Sequence, residues 1–335
     1  EVCLKENILL LDHVIVTALG LEKKESSLAY AVQKVRGEEL NRVKEVNMIT
    51  ALAGKAAGVQ VSKNSSGMGG SAKVSIRGVR SVAGDNQPLY VIDGVPMLNS
   101  TSEQAYSAIG GTANAGNRDG GDGISNLNPE DVESISILKG APAAALYGSQ
   151  AANGVILITT KKGNTVGRRD IHFSTGLTFE KAFSLPEMQN SYGVSDVTDS
   201  WGEKENLTVY DNLGDFFRTG LTSITSVSVN SGNDKLQTYF SYANTTGRGI
   251  LNENKLSKHN INLRETAVLF NSRLKLDGNV NVMKQTVKNK PVSGGFYMNP
   301  LVGLYRFPRG EGLSYYKENY ERYDEDRKLN TQNWH

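Results

Sequence analysis

The chain has 335 residues, including 37 Lys or Arg and 35 Asp or Glu, which gives a formal net charge of +2. This near balance excludes the broad basic surface typical of nucleic-acid binding, and the single cysteine, Cys3, excludes an internal disulfide framework and a cysteine-based zinc cluster. Glycine supplies 35 residues, about a tenth of the chain against an ordinary ~7 %, which favours turn-rich β architecture.

The chain begins on strand-like sequence at 2–4 and 8–16, with neither an initiator Met nor a basic leader. This start predicts a mature product or a piece of a longer protein. No apolar run approaches the ~20 residues that a spanning helix requires, so a membrane role would have to use strands. The charged segment 19–27 is typical of a mobile linker.

Residues 47–163 predict a mixed α/β unit. Asn47–Ala57 has apolar residues at helical spacing, with Asn47 as N-cap and Gly58 as the stop. A Ser/Gly/Asn/Asp-rich segment, 99–125, predicts a surface loop. Short strands are predicted at 58–63, 72–78, 88–97 and 135–138.

A small-residue segment separates the strand at 135–138 from another β-branched run at 155–160. A phosphate-binding loop would need Gly, four spacers and then Gly-Lys-Ser/Thr. Here Gly148 has no Lys-Ser/Thr after it and Lys139 comes before the glycines, so the spacing excludes nucleotide binding. The same segment is also compatible with a short helix that ends at Gly148.

After Gly163 the pattern changes to about five long strands with strict alternation of apolar and polar residues. Strands of ~9–11 residues with one apolar and one polar face are typical of outer-membrane barrels. A soluble β-sandwich also alternates, but strand length and the density of the polar face favour the barrel. Five strands cannot close around a plug, so the chain is expected to contain only part of a barrel.

Four segments, in order, resemble SusC/RagA-family TonB-dependent outer-membrane transporters. "NPEDVESISILKGAPAAALYGSQAANGVILITTKKG" (128–163) resembles the end of that family's plug domain, and "VSIRGVRSVAGDNQPLYVIDGVPM" (74–97) its central plug motif. "LDHVIVTALG" (11–20) resembles the TonB-box region and "DFFRTG" (215–220) the early barrel.

The resemblance implies a mixed α/β plug domain followed by antiparallel strands of a large transmembrane β-barrel, incomplete in this chain. Residues 1–10 would end a preceding regulatory-like β domain, and 11–27 would be the TonB-box region and linker. The plug would occupy 28–163, and 164–335 would form the N-terminal part of the barrel.

An extended TonB-binding segment is expected near the N-terminus. Its β-branched residues favour an extended chain that can add as a strand to a partner sheet. Without the resemblance, an ordinary buried strand would be the simpler interpretation. The residues assigned to TonB binding are Asp12, His13, Val14, Ile15, Val16, Thr17 and Ala18.

The resemblance also gives a set of plug positions with structural rather than catalytic roles. Arg80 and Asp85 lie near them, and with Arg77 and Asp93 they are either ion-paired contacts to the barrel wall or solvated loop charges. The structural positions are Arg77, Gly78, Asp93, Gly94, Lys139, Gly140, Tyr147, Gly148 and Gly154.

No catalytic, metal or cofactor site is predicted. Asn117, Asp119 and Asp122 suggest a calcium loop, but the EF-hand order is missing and a solvated Gly-rich loop is the simpler interpretation. The four histidines have no metal spacing. Trp201, Tyr192 and Tyr210 could stack on sugar or sit in an aromatic girdle.

The resemblance implies an importer in the cell outer membrane and not an enzyme. Its partners would be TonB with ExbB and ExbD, a SusD-like surface lipoprotein, outer-membrane lipid and no nucleic acid. The cargo would be an oligosaccharide, with peptides second; residues that bind it cannot be named. The alternative is a soluble carbohydrate-binding or adhesion β-module, and a hydrolase comes third.

Overall fold

Two five-stranded sheets organise the part of the chain that the structure describes. The structure is a computed structural model. It describes residues 14–16, 22–24, 32–63, 67–81, 86–97, 99, 119, 121–194, 201–290, 300–318, 321–324 and 329–332. Within these residues, none of the helices has the length and apolar character needed to cross a bilayer.

The first half forms an α/β unit, residues 32–163, whose mixed sheet has the strand order β3 (Val32–Arg36), β8 (Val132–Leu138), β9 (Val155–Thr160), β6 (Leu89–Ile92) and β7 (Val95–Met97). A separate hairpin pairs β4 with β5, and β1 pairs with β2 ahead of the unit. The strands are β1 (Val14–Val16), β2 (Glu22–Lys24), β3 (Val32–Arg36), β4 (Val59–Lys63), β5 (Ala72–Ile76), β6 (Leu89–Ile92), β7 (Val95–Met97), β8 (Val132–Leu138) and β9 (Val155–Thr160). The helices are α1 (Gly37–Asn41) and α2 (Ala141–Tyr147).

Both faces of this sheet are buried. Ile135 and Ile156 contribute to a large core on one face, whereas Leu157 and Ala143 belong to a smaller core on the other, beside α2. Strands covered on both faces need nearly continuous apolar sequence, which explains the β-branched runs that flank the small-residue segment.

The second half forms a long-stranded sheet, in which consecutive strands pair antiparallel from β10 to β14. Short turns at 233–235 and 270–273 join strands at one end, the short-turn end. At the other, the long-loop end, α3–α5 share an apolar cluster. The elements are β10 (Arg169–Glu180), α3 (Asn212–Phe216), β11 (Gly220–Gly232), β12 (Leu236–Arg248), β13 (Lys255–Leu269), β14 (Leu274–Lys288), α4 (Pro300–Arg306), α5 (Leu313–Glu318), β15 (Glu321–Asp324) and β16 (Leu329–Gln332).

The long-stranded sheet exposes its apolar face and covers much of its polar face with the α/β unit. On β13 the polar side chains of Asn260, Asn262 and Arg264 are buried, while Ile261 and Leu263 are 43 % and 46 % exposed. This is the reverse of a soluble sheet, in which the apolar face is the buried one. The period-two interpretation of these strands is therefore confirmed.

Two local predictions are wrong, and a third is contradicted at the end of the segment that the structure describes. Only a 3-10 turn, Thr50–Leu52, forms within the helix predicted at Asn47–Ala57, since Ala53 is extended and Gly54 has a φ of +74°. The strand predicted at 88–97 is a hairpin, β6–β7. Asp119 and Asp122, at the end of the predicted surface loop 99–125, are buried; residues 100–118 lie outside the described part of the chain.

Gly154 provides a test of packing inside the α/β unit. Its φ is +100°, and an added Cβ would lie 2.9 Å from Ile76 Cδ1 and 3.0 Å from the Leu138 carbonyl oxygen. We expect Gly154→Ala to destabilise the unit by about 2–4 kcal/mol, because backbone strain and crowding add. Pulse proteolysis in urea would measure the free energy of unfolding.

Gly148→Ala is the matched control, since Gly148 has a φ of +72° with nothing within 4 Å of the added Cβ. Backbone strain alone should cost about 1–2 kcal/mol there. Equal losses in the two variants would contradict the crowding.

Candidate functional site

Arg264 on β13 joins the long-stranded sheet to the α/β unit. Its guanidinium donates from Nη1 to Asp93 Oδ2 at 2.9 Å, and from Nε and Nη2 to the two carboxylate oxygens of Asp277 at 2.9 and 2.8 Å. The Arg264 side chain is only 5 % exposed. Two carboxylates, one from each half of the chain, therefore share one buried guanidinium.

The β6–β7 turn holds the Asp93 carboxylate in position. Asp93 and Gly94 form the two-residue loop of the hairpin, with φ of +48° and +89°, as the Asp-Gly turn preference predicts. Asp93 accepts hydrogen bonds from the Thr160 backbone N at 3.0 Å and from Thr160 Oγ1 at 2.6 Å. The α/β unit thus orients the carboxylate independently of Arg264. We name the face of β10–β14 that is turned toward the α/β unit, and on which Arg264 lies, the wall.

The charges around Arg264 nearly cancel. Lys162 Nζ lies 3.9 Å from Asp277 Oδ2, so two cations face two carboxylates. A buried ion pair roughly offsets its own desolvation, but removal of one partner leaves a buried charge without compensation. The cluster therefore contributes little net stability, but it specifies one position of the α/β unit against the sheet.

A second contact joins Tyr239 on β12 to Asp131, which is fully buried just before β8. The Tyr239 hydroxyl donates to Asp131 Oδ1 at 3.0 Å. Burial raises the pKa of the Asp131 carboxyl, and hydrogen bonds from polar wall residues partly oppose that rise. Polar residues of the wall therefore replace only part of the solvation that this carboxyl group loses on burial.

Wall residues toward the long-loop end bind backbone carbonyls of the α/β unit. Lys258 Nζ donates to the Ser125 carbonyl oxygen, and Asn260 Nδ2 donates to that of Asn126 at 2.7 Å. Lys290 Nζ donates to the Gly69 carbonyl oxygen at 2.9 Å. In each contact the acceptor is a backbone carbonyl oxygen, to which a water molecule could donate a hydrogen bond if the side chain moved away.

Asp119 and Asp122 are buried structural acceptors, so neither the calcium loop nor the solvated loop describes them. Asp119 accepts backbone N–H bonds from Ser71 and Gly121 at 2.7 and 2.8 Å. Asp122 accepts from Ala72 at 2.8 Å and caps a 3-10 turn at Ser125. Among the described residues, no group of three or more His, Cys, Asp or Glu could hold a metal ion.

The predicted plug positions lie mainly within the α/β unit, while Asp93 contacts the wall. Lys139 Nζ donates to Gln33 Oε1 at 2.7 Å, and burial lowers the pKa of this lysine. Tyr147 packs against the smaller core. The positions with positive φ are Arg77, Gly78, Asp93, Gly94, Gly140, Gly148 and Gly154.

The charges near these positions differ in role. Arg80 Nη1 donates to the Ala152 carbonyl oxygen at 2.8 Å, so this contact stays within the α/β unit. Asp85 and Asn117 lie outside the described residues. Three members of the predicted charge group lie in the described part of the chain: Arg77, Arg80 and Asp93. Of these three, only Asp93 forms an ion pair with the wall.

The segment assigned to TonB binding is described only at Val14–Val16. This strand pairs antiparallel with Glu22–Lys24, inside the segment predicted to be a linker. Asp12, His13, Thr17 and Ala18 lie outside the described residues, as do residues 1–10. The described part is extended, which is the conformation that strand addition requires.

A cavity of about 470 Å³ opens between the α/β unit and the long-loop end of the sheet. Its apolar lining includes Met68, Leu185, Phe217, Ile250, Leu301 and Tyr305. Nearby in sequence, Tyr192 and Trp201 place their exposed rings 5.7 Å apart, at the same end of the sheet.

Sequence reasoning missed Arg264, Asp277, Tyr239 and Lys258 as interface residues. The available signal was a charged residue in the middle of a strand's polar face, as at Arg264 in the run from Asn260 to Thr266. A charge at such a position must be solvated or paired.

Removal of the Arg264 charge tests the seating of the unit. Arg264→Gln leaves Asp93 and Asp277 facing each other without their shared cation, which should loosen the β6–β7 turn. We expect backbone amide exchange in residues 89–97 to accelerate at least tenfold, as measured by hydrogen–deuterium exchange mass spectrometry.

Two variants control this measurement. Arg273→Gln removes the same charge from the exposed turn 270–273 and should leave exchange unchanged. Arg264→Gln combined with Asp93→Asn and Asp277→Asn leaves no charge unpaired and should restore part of the protection. Wild-type exchange in Arg264→Gln would show that the cluster does not hold the unit.

Comparisons with known proteins agree with this architecture. Residues 24–155 match the family model described as the TonB-dependent Receptor Plug Domain. The chain is 31 % identical over 309 residues to TonB-dependent receptor SusC of Bacteroides thetaiotaomicron, covering 88 % of this chain and 28 % of SusC. It is 35 % identical over 180 residues to TonB-dependent receptor P26 of Formosa agariphila, covering 53 % of this chain and 16 % of P26.

A solved structure shares the fold. The RagAB peptide importer in its open-open state superposes with a TM-score of 0.68 at 23 % identity, over 96 % of this chain and 38 % of that chain. This chain therefore spans only about a quarter to two-fifths of the length of SusC and the RagAB chain. The relatives that the chain matches are TonB-dependent receptors and not enzymes. The α/β unit is a plug domain, the long-stranded sheet has the fold of barrel strands, and the chain belongs to the SusC/RagA family of TonB-dependent transporters.

Proposed function

We propose that the protein containing this chain imports a nutrient across the outer membrane, with TonB supplying the energy. The observation that carries the proposal is the reversed burial of the long-stranded sheet, whose apolar face is uncovered while its polar face holds the plug domain. A multi-pass outer-membrane barrel gives both faces a suitable environment, because lipid meets the apolar side chains and a wet lumen meets the polar ones.

Completion of the barrel requires further strands. Within the described residues, β10 and β14 form the two edges of the sheet. An unpaired backbone group in hydrocarbon costs several kcal/mol, so both edges need partners in a bilayer.

We assign residues 1–10 to a preceding β domain, 11–27 to the TonB-box region and linker, 28–163 to the plug and 164–335 to the first part of the barrel.

We assign residues 12–18 to strand addition with TonB, which ExbB and ExbD would energise. The support is the extended β1, whose pairing with β2 covers only three residue pairs. A backbone hydrogen bond contributes a net ~0.5–1.5 kcal/mol, so a few such bonds give a contact that forms and releases in each transport cycle.

The TonB assignment is tested with Val14→Pro, which removes a backbone donor and fixes φ. We expect at least a tenfold loss in capture of the TonB C-terminal domain and a matching loss of energy-dependent uptake. Val14→Thr keeps the donor and the β-branched side chain, so it should retain both. Wild-type capture by the proline variant would mean that TonB binds elsewhere.

For cargo we propose an oligosaccharide, delivered by a SusD-like surface lipoprotein. The exposed Tyr192–Trp201 pair supports this choice, because aromatic rings pack against the apolar faces of sugar rings. The pair lies in the segment between β10 and β11, at the long-loop end of the sheet.

Peptide cargo is the second candidate. The apolar lining of the 470 Å³ cavity favours it, because the cavity suits hydrophobic side chains.

The two cargo classes are separated by Tyr192→Ala combined with Trp201→Ala. Loss of both rings should reduce uptake of a labelled oligosaccharide at least about fivefold, given ~0.5–1.5 kcal/mol for each of the two aromatic contacts. Val209→Ala removes another exposed apolar side chain from the same loop and should have no effect. Unchanged oligosaccharide uptake with reduced peptide uptake would favour the peptide alternative.

A further inference from the structure

Four cations lie on the outward face of the long-stranded sheet, at its long-loop end. Arg248, Lys255 and Lys288 are directly opposite one another across β12, β13 and β14. Lys284 lies four residues before Lys288 on the same face of β14, opposite His259. We name these four cations the basic rows.

The basic rows have little internal compensation. Neighbouring strands are ~4.8 Å apart, and like charges directly opposite one another are destabilising. Glu253 binds Lys255 at 2.6 Å, which leaves an excess of three positive charges among the five groups. On this face of β10–β14, the residues that share the row of Lys284 and those in the row between Lys284 and Lys288 carry no carboxylate; they are Thr175, Leu177, Ser223, Thr225, Asn244, Thr246, Ser257, His259 and Thr286.

The apolar rows begin immediately below. Tyr242, Ile261 and Val282 are opposite one another, and Phe240, Leu263 and Val280 form the next row. The Tyr242 hydroxyl lies 3.0 Å from His259 Nδ1, so this side chain has an apolar ring below and a polar tip above. Such amphipathic aromatics are typical of the boundary between hydrocarbon and headgroups.

From these positions we infer that the basic rows bind the phosphate groups of a glycolipid in the outer leaflet. The inference rests on the outer-membrane placement proposed above. Short turns face the periplasm in barrels of this kind and long loops face outward, so the basic rows lie on the outward leaflet. The anionic headgroup supplies the charge complement that the described residues of this face do not provide.

The height of the basic rows favours a glycolipid over a phospholipid. A strand rises ~3.4 Å per residue and tilts ~40°, so Lys284 lies about 5 Å above Val282 and Lys288 about 15 Å above it. A phospholipid headgroup region is only ~5–8 Å thick. A phospholipid phosphate therefore reaches Lys284 alone, whereas a headgroup with phosphates on successive sugars reaches both levels.

The test uses the intact receptor in nanodiscs of zwitterionic phosphatidylcholine, titrated with fluorescent rough lipopolysaccharide, a glycolipid with phosphorylated sugars. The variant R248Q/K284Q/K288Q removes three exposed charges that make no side-chain contact with the plug among the described bonds. We expect its affinity for the glycolipid to fall at least tenfold. The matched control K235Q/R273Q/K275Q removes three cations at the short-turn end and should stay within twofold of wild type.

Two further arms separate the sources of phosphate. Binding of phosphatidylglycerol should depend on Lys284 and not on Lys288, and 10 mM inorganic phosphate should not displace the glycolipid. Equal dependence of both lipids on Lys288, displacement by free phosphate, or wild-type binding by the triple variant would each overturn the inference. Heat-modifiable migration in gel electrophoresis shows whether the barrel has folded. If the wild-type protein forms no barrel, both the membrane placement and this inference are wrong. If the variants fold and their binding is unchanged, only the lipid site is wrong.

Discussion

An apolar sheet face can stay uncovered only in surroundings as apolar as its side chains, and a polar face in the same sheet then needs polar partners. In this chain the sheet β10–β14 has both an uncovered apolar face and a polar face that is covered. Ile261 and Leu263 project outward, while Asn262 and Arg264, which alternate with them along β13, are buried. The plug domain therefore has to present carboxylates and backbone carbonyls to the wall, and Asp93, Asp131 and Ser125 do so.

A polar interface suits the transport function proposed above, which requires a plug that is both fixed and removable. Apolar burial would stabilise the seated state by about 25 cal/mol per Å², and that stabilisation would have to be overcome in full whenever the plug moved. Hydrogen bonds contribute only ~0.5–1.5 kcal/mol net each, because water replaces the lost partner. The Arg264 cluster fixes the seating through geometry, since one guanidinium must meet Asp93 and Asp277 together.

Periodicity made the long strands predictable, because a strand with two different environments must alternate, as Ile261 to Arg264 do. The helix predicted from Asn47 was wrong because spacing does not reveal that Gly54 takes a left-handed conformation. The pairing of Asp93 with Arg264 joins residues 171 positions apart, so it depends on tertiary placement. Similarly, nothing in the composition of 99–125 indicated that Asp119 would be buried, because one of its partners, the Ser71 backbone N–H, comes from a distant loop.

The central claim is that one face of β10–β14 meets lipid and the other meets the plug. A single-cysteine fluorophore scan along β13, residues 256–269, in bilayers with brominated acyl chains measures this directly. We predict quenching with a period of two, strong at 261 and 263 and weak at 260, 262 and 264. Uniform quenching, or quenching of the even-numbered positions, would contradict the account.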